Sequence, residues 1–235
     1  MSAQPDSATR RRRRASHSME AVIAEAVTLL DEAGEPALTF RALAARLGGG
    51  VASIYWYVSS KDELLDKATD HVLAGVVEAT HGFTGADDPI DDLRSIAVTL
   101  FDTVADRPWL GAYLMRDTGA QPSGLRLYEL LGEQVMRLGM NPRDSFHATS
   151  AVLGFVIGTA ADLGQQPPPE VADGTVSRDE YIAAEADLWR ALDPGEYPFM
   201  HYIVDEFAGH EDAVQFRAGL DLLLTGLRRQ ATAGS

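Results

Sequence analysis

The 235-residue chain has no cysteine, which excludes a disulfide framework and every thiolate metal site and fits a reducing cytoplasm. It has no apolar run of bilayer-spanning length, and the basic run Arg10 to Arg14 is not followed by a signal-peptide core. A cytoplasmic location with no membrane partner is therefore expected. Catalytic constellations are missing as well. The six histidines (His17, His71, His81, His147, His201 and His210) form no HExxH arrangement and no pair at metal-binding spacing. No glycine-rich loop ends in Gly-Lys-Ser/Thr, and no Gly-x-Ser-x-Gly elbow occurs. The carboxylates crowd at helix starts, where capping accounts for them. The expectation is a protein that is not an enzyme and has no cofactor and no metal.

Positive charge is scarce overall, since the formal net charge is −15. Its distribution is uneven. Residues 1–70 carry nine Lys/Arg against ten Asp/Glu, a sum of −1, and residues 71–235 carry eleven against twenty-five, a sum of −14. Between Arg10 and Lys61 the balance is eight against five, or +3. A near-neutral to basic head on an acidic body permits a nucleic-acid partner at the head and keeps the remainder off phosphates.

No stretch alternates strictly enough for a strand, and an all-α fold is expected. Residues 1–15 read as a disordered basic arm, 16–60 as a helix-turn-helix DNA-binding domain, and 61–230 as a ligand-binding and dimerisation domain joined to it by a continuous helix. The first helix is predicted over Ser16 to Ala33, capped by Ser16 or Ser18 and ended by Gly34. Thr39 caps a second over Phe40 to Leu47, Gly48-Gly49-Gly50 forms a turn, and a third helix runs from Val51 to Tyr57. Ser60 and Glu63 make a capping box for a helix reaching Thr80. Further starts are read at Asp88-Pro89, Asp106 with Pro108, Ser123, Asn141-Pro142, Asp179, Asp193-Pro194-Gly195-Glu196 and Glu211; residues 164–177 form an irregular excursion.

A short helix, a glycine turn and a second helix are what a major-groove reader needs. The reading helix carries no charge between Val51 and Tyr57, so base contact would fall to Val51 and Ala52 against thymine methyls, with Ser53 as a polar contact. Arg41 is either a bidentate grip on guanine or an ordinary solvated residue. Tyr55, Tyr57 and Lys61 fit phosphate contacts, though Tyr57 could equally be a core aromatic, and Trp56 is expected in the core. Arg12, Arg13 and Arg14 of the arm could lie along phosphates or in the minor groove.

Leu38-Thr39-x-Arg41, Leu43-Ala44-x-x-Leu47-Gly48 and Tyr55-Trp56-x-Val58-x-x-Lys61 resemble the amino-terminal signature of the TetR family of transcriptional regulators, closest in the head to the tetracycline repressor. Phe207-Ala-Gly-His210 and the segment from Phe216 through Gly219 and Leu224 to Gly226-Leu227 are similar to the end of that family's regulatory domain. The resemblance implies a homodimer, a helical regulatory body and a small-molecule inducer that lowers operator affinity. It also implies that Arg41, Val51 and Ala52 reach bases while Ser53, Tyr55 and Lys61 touch the backbone. Two positions depart from the pattern. Gly49 stands where a valine is usual, and Val51 where the tetracycline repressor has a glutamine. The central segment has no equivalent of the residues that coordinate a magnesium–tetracycline chelate.

In the body, the helix 144–163 is apolar around nearly its whole circumference, and Phe216, Leu220, Leu223, Leu224 and Leu227 form a stripe on the last helix. Both fit plain core, and the resemblance favours pairing of the helices near 144–163 and 211–229 with two-fold mates. A pocket for a small hydrophobic or aromatic effector is expected among Phe101, Trp109, Tyr113, Met136, His147 and Phe155. The expected function is a homodimeric repressor on a palindromic operator. An activator or dual regulator of the same fold, and a helical ligand-binding protein that does not bind DNA, stand as alternatives.

Overall fold

The computed structural model describes residues 17–82, 85–116, 121–163 and 168–233; Ser16 and the arginines of the basic run lie outside them. Among the described residues, twelve helices and no strand are present. The chain divides into two compact units, one ending at His71 and one beginning at Val72.

In the first unit, α1 (Met19–Ala37) starts with Ser18 Oγ accepting from the Ala21 N–H at 3.0 Å. Its buried stripe, Val22, Ala26, Leu29 and Leu30, recurs at helical spacing. The backbone leaves the helix at Gly34 (φ 69°), the predicted end, and one further turn carries it to Ala37. α2 (Phe40–Arg46) begins under Thr39, whose Oγ1 accepts from the Ala42 N–H at 3.1 Å. It ends in a Schellman motif: the Gly48 N–H donates to Ala45 O (3.2 Å) and the Gly49 N–H to Ala44 O (2.9 Å). Gly48 has φ +69°, a conformation that a Cβ disfavours. α3 (Val51–Ile54) is shorter than the predicted 51–57, because Tyr55 to Tyr57 form a turn in which the Tyr57 N–H reaches Ile54 O at 2.9 Å.

α4 (Lys61–Thr80) begins where the capping box is read, with the Glu63 N–H on Ser60 Oγ at 3.0 Å. The returning half of the box lands one residue earlier: the Glu63 carboxylate accepts from both the N–H and the hydroxyl of Ser59, each at 2.7 Å.

In the second unit the helices are α5 (Pro89–Ala105), α6 (Pro108–Leu114), α7 (Pro122–Arg137), α8 (Pro142–Leu163), α9 (Pro169–Ala172), α10 (Arg178–Arg190), α11 (Pro198–Ala208) and α12 (Asp212–Ala233). All but α10 and α12 open on proline, which has no N–H to leave unpaired and arrives with helical φ. α5 is the axis of this unit. Leu93, Ile96, Ala97, Leu100, Phe101 and Val104 are buried along it, and it packs against α6, α7, α8 and α12. At its start the buried Asp92 carboxylate accepts from the N–H groups of Gly85 (3.0 Å) and Ala86 (3.2 Å) and pairs with Arg137 on α7 at 2.7 Å.

Three features of the body differ from expectation. Residues 164–177, expected to be an irregular excursion, hold the one-turn helix α9. Asp193 to Glu196 opens no helix: the N–H groups of Glu196 and Tyr197 fold back to Asp193 O (3.1 and 2.9 Å), and α11 starts only at Pro198. That turn lets α11 pack on α10, with Trp189 stacked on Phe207 at 4.0 Å. On α12, the stripe read as a dimer face is mostly the subunit's own core, since Phe216, Leu220, Leu224 and Leu227 are buried against α5 and α8.

Candidate nucleic-acid interface and effector cavity

Ile54, at the end of α3, is fully buried and fixes which edge of that short helix faces out. Val51, Ala52 and Tyr55 are exposed on that edge, and Arg41 is exposed at the start of α2. Tyr55 packs edge-on against Phe40 with ring centres 4.9 Å apart, which ties the end of α3 to the residue preceding Arg41. The surface thus joins one guanidinium, two small apolar side chains and a phenol. Ser53 is half-buried, and its hydroxyl donates to Gly50 O at 2.5 Å. Trp56 is not in the core: it is 87% exposed, because the chain turns after Ile54 instead of continuing the helix.

Two expected phosphate contacts have partners within the unit. The Tyr57 hydroxyl donates to the His17 carbonyl oxygen, and Lys61 Nζ donates to Glu35 O at 2.8 Å and lies 3.7 Å from the Glu35 carboxylate. Arg46, which carries no signal of its own in the sequence, is gripped by Glu25 (2.5 Å) and Glu32 (2.6 and 3.0 Å). These hydrogen bonds hold the Glu32 carboxyl below its ordinary range and push the Arg46 guanidinium above its own. Gly49 also has a local reason to depart from valine. A Cβ there would lie 3.1 Å from Ser53 Oγ and 3.5 Å from His17 Nε2. Arg12, Arg13 and Arg14 lie outside the described residues.

The six residues expected to rim one pocket do not converge. Phe101 stacks on Phe216 at 3.7 Å, and Phe155 approaches the same ring at 5.5 Å, so both belong to the seam of α5, α8 and α12. Trp109 and Tyr113 are buried on α6, while Met136 is 68% exposed on α7. His147 is exposed beside a surface groove of about 700 Å³, which it lines with Ala151, Phe155, Leu222, Leu223 and Gly226.

A different cavity, of about 200 Å³, lies within the second unit. Its walls are Leu73 from α4, Leu100 from α5, Leu114 from α6, Gly124, Leu125, Leu127 and Tyr128 from α7, and Leu153 and Ile157 from α8, with Gln121 just before α7. None of the six expected residues lines it, yet Leu100, Leu114 and Leu153 sit one or two positions from Phe101, Tyr113 and Phe155. Each residue turns a helix by about 100°, so the aromatic rings fill the packed seams while neighbouring aliphatic residues face the cavity. Among the described residues there is no group of three or more His, Asp or Glu side chains able to hold a metal ion, and no helix is long and apolar enough to cross a membrane.

Known proteins match both units. Residues 22–68 match the family model described as bacterial regulatory proteins, tetR family, and residues 82–231 match the tetracyclin repressor-like C-terminal domain. The chain is 32% identical to the class C tetracycline repressor protein of Escherichia coli, over 89% of this chain and 90% of that one. The transcriptional regulator SCO7222, a TetR from Streptomyces coelicolor, superposes with a TM-score of 0.76 at 38% identity, covering 91% of this chain and 98% of its own. The S. coelicolor TetR family protein ActR, in complex with actinorhodin, shares the fold with a TM-score of 0.76 at 20% identity, over 92% and 98% of the two chains. With a buried Ile54 turning α3 outward and both units matched, the chain belongs to the TetR family of bacterial transcriptional regulators.

Proposed function

We propose that this regulator is a repressor that binds a palindromic operator as a homodimer and is released by a small hydrophobic or aromatic effector. The observation that carries the DNA reading is the exposed edge of Val51, Ala52 and Tyr55 over the buried Ile54, beside the exposed Arg41. Arg41 supplies a bidentate contact to guanine, and Val51 and Ala52 supply apolar contact to thymine methyls. Tyr55 and the arm arginines Arg12, Arg13 and Arg14 contact the backbone and set the register, while Ser53, whose hydroxyl donates to Gly50 O, chiefly holds the turn into α3. Tyr57 and Lys61 contribute chiefly by fixing α3 and α4 against α1, as their internal partners indicate.

Dimerisation is assigned to the outward faces of α8 and α12. Phe146 is 62% and Leu222 is 77% exposed, and with Ala151, Leu223 and Gly226 they give an apolar surface on two long helices. A second copy of the same face covers it in a closed two-fold pair. Two reading heads then engage successive turns of duplex, about 34–36 Å apart.

The effector is assigned to the 200 Å³ cavity, whose leucine and isoleucine walls favour an apolar ligand. Its wall includes Leu73, and α4, which carries that residue, begins at Lys61. Displacing α4 changes the separation of the paired heads, and a coupling of about 1–3 kcal/mol weakens operator binding roughly 5–150-fold.

Selection from random duplex DNA, followed by anisotropy titration, tests the reading. It should yield a two-fold symmetric sequence bound by two chains, with Arg41→Ala losing affinity and specificity at one base pair in each half-site. Absence of any enriched sequence would overturn it.

A further inference from the structure

Among the described residues, the cavity of the second unit has two polar side chains in its wall, and they are differently occupied. The Tyr128 hydroxyl lies 3.4 Å from Ser150 Oγ, so Tyr128 offers the cavity its ring. Gln121 Nε2 donates to the Tyr113 hydroxyl oxygen at 3.3 Å. The other end of that carboxamide, Gln121 Oε1, is buried and has no hydrogen-bond partner among the described residues. Native proteins leave few buried acceptors unmet, and one in the wall of a cavity is a direct indication of what enters it. Among the described residues the remaining lining, including Leu73, Leu100, Leu125, Leu153 and Ile157, is aliphatic and offers no other hydrogen-bonding side chain.

Resting on the reading of this cavity as the effector site, we propose that the effector is a compact apolar or aromatic molecule with one hydroxyl or N–H group that donates to Gln121 Oε1. The volume of about 200 Å³ sets the scale. It falls below the roughly 300–1,000 Å³ usual for drug-sized ligands, which fits one ring or a fused pair better than an extended polycycle. The single acceptor sets the orientation: the donor lies at the Gln121 end, and the apolar body lies against the leucines of α5, α7 and α8. Such a site discriminates strongly against an analogue that lacks the donor, because the buried oxygen is then left unmet in the complex.

Calorimetric titration of the full chain with indole and benzofuran tests this, since the two share a fused bicyclic body and differ in whether the heteroatom donates or only accepts. Indole should bind at least about tenfold more tightly than benzofuran. Gln121→Leu should bring indole down to the benzofuran level, with Gln121→Met as the replacement should the leucine variant not fold. Gly124→Leu fills the cavity from the wall at a position where a Cβ meets only Leu73 Cδ1, at 3.8 Å, and should abolish binding of both. Equal affinities in the parent chain, blocked by Gly124→Leu, would mean that solvent meets the acceptor; the donor proposal is then overturned and the cavity reading stands. Tighter binding of benzofuran would mean that the wall presents a donor, and overturns it too. Failure of both probes to bind, or binding untouched by Gly124→Leu, overturns the cavity reading and the proposal together.

Discussion

Arg41 and Arg46 lie five residues apart on α2 and meet different surroundings. Arg41 is exposed, whereas Arg46 is clamped between Glu25 and Glu32 on α1. Arg41→Ala should weaken operator binding by about 1–3 kcal/mol, roughly 5–150-fold, with an unchanged unfolding curve. Arg46→Ala should do the reverse, lowering the urea midpoint slightly while operator affinity stays within about twofold. Equal falls in affinity for both variants would contradict this division. Sequence spacing alone could not separate the two arginines, because the carboxylates that hold Arg46 come from another helix, 21 and 14 residues away. Trp56 is the opposite case. Its apolar character points to the core, but the turn after Ile54 leaves it 87% exposed next to the reading edge. Operator addition should therefore shift tryptophan emission, and Trp56→Phe should abolish the shift while Trp109 and Trp189 remain.

At the level of elements, most of the fold was legible in local chemistry. Thr39, Asp88, Asn141 and the proline starts place helices to within a residue or two, because caps and N1 prolines act through neighbours in sequence. Asp193-Pro194-Gly195-Glu196 carries the same signal and opens nothing, since the packing of α10 on α11 requires a turn there. The cavity wall was not legible residue by residue: Phe101, Tyr113 and Phe155 lie on helices that line it, but only packing decides which face of each is left unfilled. The start of α4 makes a pH prediction. Hydrogen bonds from the Ser59 hydroxyl and N–H, with Lys67 nearby, hold the Glu63 carboxyl below its ordinary 4.5. A lowered folded-state value contributes stability above the unfolded value that disappears as pH falls through the folded one. Head stability should therefore decline on acidification below about 4.5, and Glu63→Gln should flatten that decline. On α12, a Cβ at Gly219 would lie 2.5 Å from Phe155 Cζ, so Gly219→Ala should cost roughly 1–3 kcal/mol in a urea titration. Leu222, 77% exposed in the single subunit, can become Glu without harm to that subunit. Leu222→Glu should give a folded monomer by sedimentation, and a persistent dimer would place the interface elsewhere.

For the whole molecule, the charge division favours the head over the acidic body as the end that meets DNA. The segment from Arg10 to Lys61 is +3, while residues 71–235 sum to −14. Removing residues 2–14 should lower the salt dependence of operator binding, by about 0.9 in log–log slope for each phosphate that the arm neutralises, and leave sequence preference intact. An unchanged slope would assign the basic run no role on DNA. The central claim is that α3 is presented twice, at a fixed separation, and hydroxyl-radical footprinting on the selected operator tests it most directly. The account predicts two protected half-sites with centres about 34–36 Å apart, both weakened together in Arg41→Ala at the same protein concentration. A single protected patch, or two that survive Arg41→Ala unchanged, would contradict it.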